Sequence, residues 1–89
     1  MSHCERPVII GNGRGVHSRV ATRLAEIAAQ FGVRMCIRQE EEWVNCTSIL
    51  DVLALGLVQD TPVTVRAEGE QAEAALTAAV NLLLSEDDP

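Results

Sequence analysis

Eighty-nine residues, 47% of them apolar, can build one small core, to which the aromatic residues contribute only Phe31 and Trp43. Thirteen acidic against seven basic residues give a net charge of −6, which argues against nucleic acid or an anionic membrane as a partner. No run approaches the ~20 apolar residues of a membrane span and no basic-then-apolar leader is visible, so a soluble, cytoplasmic single domain over 1–89 is expected, ordered over about 7–84 with short tails at 1–6 and 85–89.

Pro7 to Ile10 is a short apolar run that reads as a first strand. It enters Gly11-Asn12-Gly13-Arg14-Gly15, a sequence that suits a loop far better than a helix or strand. Val20, Leu24, Ile27, Ala28 and Phe31 then recur at helical spacing, which predicts a helix from about Ser18 to Phe31. Ser18 is placed to cap it and Gly32 to end it in the left-handed conformation. Val33 to Arg38 alternates, with Val33, Met35 and Ile37 expected inward and Arg34, Cys36 and Arg38 outward. Gln39-Glu40-Glu41 must turn the chain without glycine or proline. Glu42 to Cys46 reads as the return strand, with Val44 and Cys46 inward and Trp43 on the face of Arg38, a cation–π geometry.

Ser48-Ile49-Leu50-Asp51 resembles a capping box that opens a short helix ending at Gly56. Asp60-Thr61-Pro62 marks a turn, and Val63 to Ala67 alternates as a last strand. A final helix follows, with Ala72, Leu76, Ala79, Val80 and Leu83 as its buried stripe. The order is βαββαβα, with half-polar strands that suggest helices on one sheet face and solvent on the other. Two α+β architectures share most of this order, the ferredoxin-like layer and the open-faced β-sandwich, and periodicity does not separate them.

His17 is the chemically suggestive residue. It sits at a predicted helix start, beside unpaired amides and the positive end of the macrodipole, where an anion is stabilised. Arg14, Arg19 and Arg23 gather around it in an otherwise acidic chain. A neutral imidazole is a competent nucleophile near pH 7, and a phosphoryl group attached to it would carry about −2 charge for amides and guanidinium groups to hold. The bland alternative is a polar loop histidine followed by a solvated arginine. Cys4, Cys36 and Cys46 are odd in number and lack paired spacing, so reduced thiols are expected. His3-Cys4 is too small a ligand set, and neither a metal nor a cofactor is expected.

Gly15-Val16-His17-Ser18-Arg19-Val20-Ala21 resembles the phosphorylation motif Gly-Leu-His-Ala-Arg-Pro-Ala of the phosphocarrier protein HPr family. Ser48-Ile49 with Leu55-Gly56 matches a second signature of that family, and the pattern strand, Ala-Glu-Gly, helix matches Val63 to Leu84. The resemblance runs over about Val8 to Leu84 in register. It implies the open-faced β-sandwich, with a four-stranded antiparallel sheet and three helices on one face. It also implies a phosphoryl carrier rather than an enzyme. His17 would be the acceptor and Arg19 its charge partner, with Ser18 and Arg14 supporting the phosphate. The implied partners are enzyme I and enzyme IIA components of the phosphotransferase system, and a monomer is expected. In some bacterial lineages the family serine corresponding to Ser48 is phosphorylated, which would add a serine kinase or phosphatase, although Asp51 favours a simple cap.

Departures from the pattern cluster around the motif. Val20 stands for proline, Arg14 for a polar loop residue and Thr47 for a common lysine, while Glu26 and Asp51 are acidic where lysine is frequent. Leu50 and Ala54, predicted on the outer side of the short helix, are candidates for partner docking. Two other functions share these features: a regulatory phosphoprotein of the same type that does not serve sugar uptake, and a ferredoxin-like ligand-binding module.

Overall fold

In the computed structural model, which describes residues 3–86, seven elements follow in the expected order. They are β1 (His3–Ile9), α1 (Ser18–Phe31), β2 (Arg34–Gln39), β3 (Glu42–Asn45), α2 (Ile49–Ala54), β4 (Pro62–Glu68) and α3 (Ala72–Leu84). Alternation decides the faces. Val63, Val65 and Ala67 of β4 are buried with Met35 and Ile37 of β2, whereas Thr64, Arg66 and Arg38 lie on the other side. Leu24 and Ile27 of α1 and Leu76, Ala79 and Leu83 of α3 close the core over the apolar side.

The four strands form one sheet in the order β1-β4-β2-β3, and every neighbouring pair is antiparallel. The last strand therefore fills the slot between β1 and β2. In a ferredoxin-like layer the third strand takes that slot, so the order identifies the open-faced sandwich. On the open face Trp43 lies between two guanidinium groups, Arg38 at 5.0 Å and Arg66 at 4.3 Å from its ring centroid. Arg66 is also paired with Glu5 at 2.7 Å.

Several strand boundaries differ from the sequence reading. β1 begins at His3, not Pro7, because β4 supplies a continuous register from His3↔Glu68 to Ile9↔Pro62. Backbone pairing replaces the apolar run as the ordering force, so His3 and Cys4 belong to a strand and not to a tail. Val33 is buried but precedes β2, and Cys46 is buried just after β3, its amide bonded to Met35 O at 2.8 Å. The turn without glycine is a two-residue connection, since Gln39 pairs with Glu42, and it places Glu40 at φ 57°.

Candidate functional site

The loop from Gly11 to Val16 is tied down at both ends before it delivers His17. The Gly11 amide donates to Leu83 O at 2.8 Å, and a Cβ at Gly11 would overlap the Leu84 carbonyl. Asn12 is buried, its Oδ1 accepts the Arg14 amide at 2.8 Å and its carbonyl accepts the Gly15 amide at 2.9 Å. Gly15 takes φ +70°, and the Val16 amide donates to Leu57 O at 2.8 Å. The loop after α2 thus forms the floor beneath the residue that precedes His17.

His17, rather than Ser18, is the N-cap of α1. Its backbone is extended (φ −87°, ψ −178°), its Nδ1 accepts the Arg19 amide at 3.3 Å, and its carbonyl accepts the Ala21 amide at 2.9 Å. Ser18 is already helical, so it contributes an amide to the helix start instead of a capping hydroxyl. The imidazole wins this position because Nδ1 offers an acceptor lone pair at a distance comparable with that of an asparagine oxygen. With an N–H directed at Nδ1, a neutral ring carries its proton on Nε2. No acidic residue occupies the first turn of α1 to offset the positive end of the helix.

His17 is half-buried, whereas Arg14, Ser18 and Arg19 are exposed. A shallow groove of about 420 Å³ runs along the outer side of α1, lined by Ser18, Arg19, Thr22, Arg23 and Glu26. Within it Arg23 contacts Glu26 at 3.4 Å. The basic cluster seen in sequence is thus partly a continuous helix surface beside His17.

Ser48 lies at the N-cap position of α2 without acting as a cap. Its Oγ donates to Asp51 Oδ2 at 2.8 Å and makes no side-chain bond to the helix backbone. The capping-box pattern therefore closes on itself, carboxylate to hydroxyl. Leu50 is 79% exposed and Ala54 is exposed, both on the outer side of α2 as expected. Two residues of this region escaped the sequence reading. Val58, 63% exposed, sits beside Gly15, and nothing local distinguishes it from buried Leu57. Asn12 had a signal, since an asparagine between glycines commonly folds its side chain onto the backbone two residues on. Among the described residues no group of three or more metal-ligating side chains occurs. A nucleophilic ring nitrogen directed at a helix-start amide, with Arg14 and Arg19 close in the chain, suits reversible attachment of an anionic group.

Comparison with known proteins places this geometry in context. Residues 4–85 match the family model described as PTS HPr component phosphorylation site. Phosphocarrier protein NPr of Shewanella violacea is 37% identical over 78 residues, covering 88% of this chain and 86% of the relative. HPr-C-His from Thermoanaerobacter tengcongensis is 30% identical with a TM-score of 0.85, covering 94% of this chain and 98% of that structure. A phosphocarrier protein HPr from Bacillus anthracis, at 24% identity, shares the fold with a TM-score of 0.86 over 93% of this chain and 99% of its own.

Proposed function

We propose a phosphoryl-carrier function from one premise: this chain belongs to the HPr phosphocarrier family of the phosphotransferase system. In this reading His17 accepts a phosphoryl group from phosphoenolpyruvate-charged enzyme I and passes it to sugar-specific enzyme IIA components. The observation that carries it is the His17 Nδ1 lone pair aimed at the Arg19 amide in the first turn of α1. The Nδ1 lone pair attacks phosphorus, the N–P bond forms, and the bond from phosphorus to the donor breaks. Loss of the Nε2 proton to solvent then relieves the positive charge on the ring. The Arg19 amide exchanges a long 3.3 Å bond to nitrogen for a charge-assisted bond to a phosphoryl oxygen.

Arg19 and Arg14 supply counter-charge and Ser18 supports the phosphate through its amide and hydroxyl. An exposed anchor of this kind suits a carrier, because a deeply buried phosphate would not be released. The protein acts as a phosphotransfer intermediate, not as an independent catalyst, and works as a monomer in the cytoplasm. Leu50, Ala54 and Val58 give partners an apolar contact, and the acidic Glu26 and Asp51 select partners with basic rims. Ser48 is available to a serine kinase only at the cost of its bond to Asp51 and of repulsion from that carboxylate.

The test is intact-mass measurement after incubation with the cognate enzyme I and phosphoenolpyruvate. One acid-labile phosphoryl group is expected on the wild type and none on His17→Ala. An unmodified wild-type protein would refute the carrier function.

A further inference from the structure

Among the described residues Asn12 is the one buried polar side chain, only 4% exposed. A buried carboxamide persists where its hydrogen bonds are made, and the Oδ1 bond of Asn12 serves the loop that ends in His17. Its Oδ1 holds the Arg14 amide at 2.8 Å, and its main-chain carbonyl holds the Gly15 amide at 2.9 Å. Both bonds fix the chain immediately ahead of Val16, which Leu57 O holds, and of His17, whose own amide donates to Gly15 O at 3.1 Å. The series from Asn12 to His17 therefore combines short-range closures at Arg14, Gly15 and His17 with one long-range anchor at Val16, and one side chain begins it.

We propose that Asn12 is a positioning residue for His17: its carboxamide sets the loop that directs Nδ1 at the Arg19 amide. The inference rests on the carrier reading of His17 for its functional meaning. Asn12 acts through the backbone of Arg14 and Gly15, not on phosphorus, so it is no catalytic residue. Without Oδ1, the Arg14 amide loses its acceptor, the loop samples other conformations, and the ring no longer holds one orientation.

The experiment compares Asn12→Ala, Asn12→Asp and the core variant Ile37→Val, whose loss of melting temperature controls for general destabilisation. Two readouts are taken: the ¹⁵N shifts of the His17 ring, which report the protonated nitrogen, and the rate of phosphorylation by phosphoramidate, a small donor that needs no docking. Asn12→Ala is expected to move His17 toward a mixture of tautomers and to slow phosphorylation by about 10-fold through lost orientation. Asn12→Asp keeps the acceptor oxygen and restores the ring shifts, and Ile37→Val alters neither readout. Should Asn12→Ala not fold, Asn12→Ser, which makes a weaker version of the same turn, gives intermediate ring shifts. Wild-type ring shifts in Asn12→Ala or Asn12→Ser, or equal slowing in Ile37→Val, would overturn the proposal. A wild type that accepts no phosphoryl group would instead remove the carrier reading, while the ring shifts still decide whether Asn12 positions His17.

Discussion

Two glycines two residues apart should respond oppositely to the same substitution. Gly15 has φ +70°, and a Cβ there would overlap the Leu57 carbonyl and lie 3.0 Å from Val58 Cα, both backbone atoms. Gly13 has no positive φ, and nothing lies within 4 Å of its Cβ position. In Gly15→Ala the left-handed backbone costs about 1 kcal/mol. Displacing Leu57 O also removes the 2.8 Å acceptor of the buried Val16 amide, an orphaned donor worth about 1–3 kcal/mol. The sum is about 3 kcal/mol, against a total stability on the order of 4–13 kcal/mol for a chain of this length. At 4–8 °C per kcal/mol, the melting temperature falls by roughly 12–24 °C. Gly13→Ala should instead be neutral or stabilising by up to about 1 kcal/mol, because it narrows the unfolded ensemble without native strain. Urea and thermal unfolding of both variants supply the numbers. A loss below about 1 kcal/mol in Gly15→Ala, or equal losses in both, would refute the packing argument, since an orphaned amide alone costs that much.

Glu40→Gly should raise stability by about 0.5–1 kcal/mol, read as a melting temperature higher by roughly 2–8 °C, because Glu40 holds φ 57° in the two-residue turn. An unchanged or lower melting temperature would contradict strain at that position. Burial pushes the Cys46 thiol far up, so the native state keeps a proton that the unfolded chain releases near the ordinary thiol value of about 8.5. Its contribution is therefore intact below about pH 8.5 and declines above it, by about 1.4 kcal/mol per pH unit for one proton. Cys46→Ala, less stable at neutral pH, should show a flatter alkaline limb in urea unfolding at pH 8–10; an identical slope would show that Cys46 is not the linked group.

The sequence by itself determined most of what depends on neighbours along the chain, the helix caps at His17 and Ser48 excepted. Helical spacing from Val20 to Phe31 set α1, the glycine at 32 ended it, and alternation over β2 and β4 assigned their faces. The same local logic placed His17 at a helix start among arginines and Leu50 on an outer face. Even the Arg38–Trp43 contact was legible, since a tight hairpin fixes its own register. The tertiary structure alone decided what depends on segments distant in sequence. It inserted β4 between β1 and β2, extended β1 back to His3 and brought Arg66 onto Trp43. It also seated the His17 loop on Leu57. Periodicity encodes which face of an element is apolar, whereas backbone pairing and loop anchoring depend on which distant partner arrives. That partner is chosen by packing of the whole core, so no local pattern carries it.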